Sequence, residues 1–186
     1  MLVQKRLLLL TGEPGVGKTT VLVKVVEALK MRGYSVGGMI SRETREDGVR
    51  VGFEIVDIAT GRRGWLAHVN QPTSPRIGRY RVNLADLEGV GVEAIGVAVK
   101  TCDVVVIDEI GPMELFSEKF KITVRKAIES EKLVVAVVHW RVKDRLVEEA
   151  KMRDDAELAV VTHENRNRLH EEIVEMAVAF LKFKRY

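Results

Sequence analysis

The segment Gly12-Glu13-Pro14-Gly15-Val16-Gly17-Lys18-Thr19 restricts the fold of this chain more than any other. It fits the phosphate-binding pattern G-x-x-x-x-G-K-[ST], which needs a buried strand before the loop and a helix after it. Both flanks comply. Leu7 to Leu10 is an apolar run of strand length, and Val21, Leu22, Val25, Ala28 and Leu29 recur at helical spacing up to a C-terminal Gly33. Glycines let the loop wrap closely round phosphate oxygens with its N–H groups pointing inward, where a Cβ would obstruct. The helix adds its positive N-terminal end. The pattern therefore predicts a nucleotide held by Gly12, Glu13, Pro14, Gly15, Val16, Gly17, Lys18, Thr19 and Thr20. Lys18 is expected to reach the β- and γ-phosphates and the Thr19 hydroxyl to ligate Mg²⁺.

The rest of the chain continues the alternation of strand and helix. Ser35 to Ser41 reads as a strand, and Val51, Phe53 and Ile55 alternate with Gly52 and Glu54 as in a half-buried strand, with Glu46-Asp47-Gly48 as a turn between them. Residues 42–83 contain Pro72, Pro75 and several glycines, which predicts antiparallel hairpins and loops, a substrate-facing insert, in place of another βαβ unit. Beyond it, Leu84 to Lys100 reads as helix, Val104-Val105-Val106-Ile107 as a strand covered on both faces, and Phe116, Phe120, Val124 and Ile128 as the stripe of an amphipathic helix. Leu133 to Val138 is a further buried strand, Arg141 to Lys151 a helix and Leu158 to Val161 another strand. Leu169, Ile173, Met176, Ala177 and Phe180 mark a closing helix. This order predicts an α/β fold of the P-loop NTPase type, with a mainly parallel central sheet, helices on both faces and an antiparallel hairpin insert. No repeat or linker divides it, so residues 1–186 read as a single domain.

Composition removes several classes of function. The 186 residues hold 30 basic and 27 acidic side chains and one cysteine, Cys102. A single cysteine allows neither an intramolecular disulfide nor a thiolate metal cluster, which points to the cytoplasm, and Cys102 itself reads as a packing residue. No apolar run approaches the about 20 residues that span a bilayer. A net charge of +3 is too small for a nucleic-acid footprint. The high charge and few amides, two Gln and four Asn, are compatible with a thermophilic source.

Asp108-Glu109 supplies the second half of a nucleotide site. A carboxylate at the C-terminal tip of a buried parallel strand faces the crevice where α/β sheets bind ligands. Asp108 is expected to hold Mg²⁺ as the Walker B acid does, and Glu109 to orient and deprotonate an attacking water. Val104 to Ile107 before the pair, and Ile110-Gly111 after it, complete this strand and its exit. A carboxylate aimed at water favours hydrolysis over transfer. Two other readings stay open: a kinase for nucleotides or other small molecules, and a nucleotide-gated binding module. Asp108 to Gly111 fits the D-x-x-G pattern, but the guanine-reading N-K-x-D sequence is missing, which argues against a dedicated GTPase switch.

Asp108-Glu109-Ile110-Gly111-Pro112-Met113-Glu114-Leu115, together with the loop at residues 12–19, resembles the small P-loop nucleoside-triphosphatase family described from thermophiles and also present in animals. Ser41 to Phe53, Ile77 to Asn83 and Val161 to Leu169 are similar too, so the resemblance covers nearly the whole chain. It implies slow, Mg²⁺-dependent hydrolysis of ATP, GTP and other nucleoside triphosphates to diphosphate and phosphate. Glu13 departs from the pattern, standing where many members have a small or apolar residue. Topology adds further candidates. His139 ends the Leu133 to Val138 strand, where related ATPases place a polar residue near the γ-phosphate, and Asn165 and Arg166 are placed to contact the base. Arg42, Arg45 and Arg79 of the insert are candidates for offsetting charge on the γ-phosphate, and Glu114 for shaping the site or capping the next helix. Trp65, Trp140, Phe116 and Phe120 read as core.

Overall fold

The computed structural model describes residues 4–72 and 74–184. Its strands form one nine-stranded sheet in the order β5-β6-β4-β3-β2-β7-β8-β1-β9. Five of them run parallel: β2 (Val36–Glu46), β7 (Val104–Ile110), β8 (Leu133–Val138), β1 (Leu7–Thr11) and β9 (Ala156–Val160). Alternation along β1 shows why these strands are apolar throughout. Leu7 and Leu9 pack towards α3 (Glu93–Thr101), α4 (Glu118–Glu129) and α5 (Arg145–Lys151), whereas Leu8 and Leu10 pack towards α1 (Lys18–Met31) and α6 (Leu169–Phe183). Each face is covered by helices, so neither set of side chains meets water.

Residues 42–83 extend this sheet as an antiparallel wing. β2 runs past the end of its parallel partner and turns back into β3 (Val49–Asp57), which pairs in turn with β4 (Arg63–His68). The short β6 (Tyr80–Val82) and β5 (Arg76–Ile77) close the edge. Both β2 and β3 are longer than alternation predicts, because the strand pattern continues through exposed polar residues up to the Asp47-Gly48 turn. The tight union of β2 and β7 depends on Gly38, at φ 112°, where an added Cβ would lie 2.0 Å from the Val106 carbonyl oxygen.

Several local expectations shift. The helix after Leu84 is a short α2 (Leu84–Asp86) and a wider π-type turn over Leu87–Val92 leading into α3. Asn83 caps its start by accepting the Asp86 N–H. The helix expected from Arg141 starts at Arg145, since Asp144 accepts the Leu146 N–H as N-cap. Phe116 is corrected from core to surface, 44% exposed, because it precedes the Ser117 cap of α4 on a separate 3₁₀ turn. Phe120 is fully buried, while Trp65 and Trp140 are only partly so. Cys102 packs against α3 and β2, its Sγ 2.8 Å from where a Cβ on Gly37 would stand.

No helix of the described residues is long and apolar enough to cross a membrane.

Candidate active site

β1, β7 and β8 are parallel neighbours, so their C-terminal ends open on one edge of the sheet. β1 delivers the phosphate loop there, β7 delivers Asp108 and Glu109, and β8, lying between them, delivers His139. Gly17 is the N-cap of α1 at φ 109°, with no side-chain cap and no acidic residue in the first turn. The N–H groups of that turn are left for an anion, with the helix dipole behind them. Lys18 is 9% exposed, and its ammonium donates to the Gly12 and Glu13 carbonyls at 3.0 and 3.1 Å. An ammonium has three N–H donors, so one remains for a phosphate oxygen.

Asp108 is 1% exposed and accepts from the Thr19 hydroxyl at 3.3 Å and the Ser41 N–H at 3.4 Å. The peptide bond joining it to Glu109 is cis. Burial pushes the Asp108 carboxyl up to about 7, only partly opposed by the Thr19 hydroxyl. Burial also raises Glu109, while the charges of Lys18 and His139 pull it back. Its Oε1 is buried without a hydrogen-bond partner among the described residues. His139 Nδ1 accepts the Arg141 N–H at 3.3 Å, which leaves Nε2 as the donor of the ring. Glu114, behind this group and 4% exposed, takes hydrogen bonds from the Gly111 and Glu114 N–H groups. Burial and then the Glu109 charge push it up to about 8.

A chamber of about 650 Å³ joins these parts. Pro14, Gly15, Gly17, Lys18 and Thr19 form one wall, Glu109 and His139 the floor, and Ser41, Arg42, Glu43, Arg50 and Phe53 of the wing the far wall. Of the three candidate arginines only Arg42 lines it. Arg45 is engaged outside, 2.5 Å from Glu43 Oε1 and donating to the Gly48 carbonyl, and Arg79 donates to the Arg50 carbonyl beside the Tyr80 ring. Asn165 spends its side chain on its own turn, accepting the Thr162 N–H and donating to the Val160 carbonyl. Arg166 lies behind the phosphate loop, 3.4 Å from the Val16 carbonyl oxygen. Neither residue lines the chamber. Arg50 and Phe53 do, and the sequence reading missed both; the β2–β3 pairing that sets Phe53 opposite Glu43 was the signal available.

Asp108 and the Thr19 hydroxyl offer two hard oxygen donors, and among the described residues no cation is in hydrogen-bonded contact with the buried carboxylate. They suit Mg²⁺, which typically takes one or two protein oxygens and completes its shell with phosphate oxygens and water.

The raised carboxyls set a pH dependence. In the unfolded chain Asp108 and Glu114 ionise near their ordinary values of 3.8 and 4.5, so up to about pH 7 and pH 8 the folded state holds protons the unfolded state has released. Stability of the protein free of metal and nucleotide is therefore expected to fall as pH rises from about 5 to about 8, by at most about 1.4 kcal/mol per pH unit for each group. Carboxylates held low, such as Asp155, finish titrating below this window. Thermal melts across it check the slope, which should flatten at its upper end in Glu114→Gln. A melting temperature that rises towards pH 8 would contradict the assignment.

A family model for NTPase matches residues 7–174. The chain belongs to this family. Among NTPase relatives, the nucleoside-triphosphatase THEP1 of Thermofilum pendens is 50% identical over 87% of this chain and 89% of its own length. THEP1 of Methanocaldococcus jannaschii is 43% identical over 93% and 98%. The crystal structure of THEP1 from the hyperthermophile Aquifex aeolicus superimposes with a TM-score of 0.81 at 33% identity, covering 91% of this chain and 98% of that one. The solution structure of a human cancer-related nucleoside triphosphatase reaches 0.77 at 36% identity, over 91% and 96%. The NTPase fold is thus shared across nearly the whole chain, wing included.

Proposed function

We propose that this NTPase-family chain hydrolyses nucleoside triphosphates, ATP and GTP among them, to the diphosphate and phosphate. The observation that carries this reading is Glu109 Oε1, a buried acceptor without a partner among the described residues, on the floor of the chamber that the phosphate loop walls. Leaving such an oxygen unpaired costs about 1–3 kcal/mol, which a water donating to it would recover. The loop N–H groups and Lys18 bind the triphosphate. Glu109 takes the proton of the attacking water as its oxygen joins the γ-phosphorus, while Arg42 and His139 Nε2 offset charge on the phosphoryl oxygens. Thr19 and Asp108 would hold Mg²⁺, which when bound neutralises phosphate charge. Asn165 and Arg166 belong to the loop on the base side.

The whole chain acts as one catalytic unit, supported by a single sheet that carries both loop and wing. A cytoplasmic location accords with the lone cysteine.

Incubating the protein with a panel of nucleoside triphosphates, with and without Mg²⁺, tests the proposal. Phosphate and diphosphate should appear in equal amounts, without an acceptor and with several bases. Consumption of nucleotide only when an acceptor is added would sink it.

A further inference from the structure

The chamber has to take the reacting phosphates and the attacking water, but its volume of about 650 Å³ is that of a pocket that holds a whole small molecule, which leaves room beyond them. The excess does not serve the nucleoside of the triphosphate. Arg166 lies on the opposite flank of the loop, against Val16, and neither it nor Asn165 lines the chamber. The surplus space lies between the phosphate loop and the wing, on the Glu109 side.

Its far wall is chemically specific. Arg50 and Glu43 line it together, whereas the side chain of Arg42, one residue along β2 from Glu43, lies on the opposite face of the strand. The Arg50 Nε stands 2.6 Å from Glu43 Oε2 but off the line of a hydrogen bond, so this buried N–H has no hydrogen-bond partner among the described residues. The Arg50 guanidinium carbon lies 5.5 Å from the Phe53 ring centroid, and the edge of that ring completes the wall. A guanidinium N–H left without a hydrogen bond suits a phosphate or similar oxyanion, and the aromatic edge suits a planar ring. The floor asks for something else. Glu109 presents an unpartnered acceptor, and the group that satisfies it must carry a proton.

We infer that the space between the phosphate loop and the wing is an acceptor subsite for a small hydroxyl-bearing organic phosphate with a planar ring, and that the protein transfers the γ-phosphoryl group to that hydroxyl as well as to water. The inference rests on the nucleotide-binding reading of the loop. In the transfer step the acceptor oxygen forms a bond to the γ-phosphorus as the bond from that phosphorus to the β–γ bridging oxygen breaks. The electron pair leaves on the nucleoside diphosphate, and the hydroxyl proton passes to Glu109 and then to solvent. Hydrolysis is the same step with water in place of the hydroxyl. Arg50 holds the acceptor phosphate at the far wall, and this orients its hydroxyl towards Glu109.

The test uses ATP labelled in the γ-phosphoryl group, Mg²⁺ and three probes: adenosine 3′-monophosphate, adenosine, and ribose 5-phosphate. Each is raised to about 10 mM, ten times the upper end of ordinary Michaelis constants. Label should appear in adenosine 3′-monophosphate at least tenfold faster than in adenosine, which lacks the anion. Ribose 5-phosphate, which lacks the ring, should lie between them. Arg50→Gln and Phe53→Ala should each lower the ratio of transfer to hydrolysis for adenosine 3′-monophosphate, Arg50→Gln by tenfold or more. Label found in no probe while phosphate is still released would overturn the acceptor subsite and leave the hydrolase reading standing. Equal labelling of adenosine and its 3′-monophosphate, or an unchanged ratio in Arg50→Gln, would overturn it as well. Absence of both phosphate release and transfer would instead remove the nucleotide-hydrolysis reading on which it depends.

Discussion

Lys18→Ala is expected to lower nucleoside-triphosphate hydrolysis by roughly three orders of magnitude or more. The ammonium is nearly buried, tied to two carbonyls of its own loop, and so fixed in place before any phosphate arrives. A fixed charge need not reorganise as the γ-phosphoryl oxygens gain charge, which makes it worth more there than in water. The substitution also leaves Glu109 and Asp108 without the cation that partly opposes their desolvation. Both carboxyls should then be harder to ionise, deepening the loss. Phosphate release and equilibrium nucleotide binding should fall together. Activity within tenfold of the wild type would remove Lys18 from the chemistry.

Glu109→Gln separates binding from turnover. The amide is nearly isosteric and can still orient a water through its Oε1, but it cannot accept a proton. Turnover should drop by about 10²–10⁴, the usual contribution of a positioned base. Affinity for nucleotide with Mg²⁺ should be preserved or improved, since a group able to carry negative charge no longer faces the phosphates. Single-turnover phosphate release beside nucleotide titration distinguishes the two effects. Wild-type release rates in Glu109→Gln would leave the water without its proposed base.

Much of this site is legible in the sequence because its parts are local. The phosphate loop carries its own conformation in Gly15, Gly17 and the helix that follows, and four apolar residues before Asp108 state that the acid stands at the tip of a covered strand. Arg50, Phe53 and the choice among Arg42, Arg45 and Arg79 depend on pairing between distant residues. The hairpin places Phe53 opposite Glu43, and an irregularity in the ladder falls between Thr44 and Arg45. The ladder passes over Val51 of β3, from Thr44 opposite Gly52 to Arg45 opposite Arg50, so spacing along β3 alone could not reveal that Arg50 and Phe53 come to one wall. Phe116 misleads for a related reason. Its four-residue spacing to Phe120 continues the helical stripe on paper, but Ser117 ends the preceding turn and caps a new helix. Glu114 reads in the sequence as a candidate for shaping the site or capping the next helix; its burial comes from the fold of the turn over Gly111–Met113, which no local pattern announces.

β2 belongs to both halves of the sheet. Val36 to Ile40 are buried within the parallel core, and Ser41, whose N–H reaches Asp108, begins the part that becomes the wing. One continuous strand therefore acts as a ruler between the catalytic acids and the far wall. Its side chains alternate in direction with each residue, so adding or removing a single residue next to Ser41 would turn Arg42 to the opposite face and carry the pairing with β3 out of step. The far wall can change its chemistry by substitution, but its distance from the γ-phosphate is fixed by a count of residues.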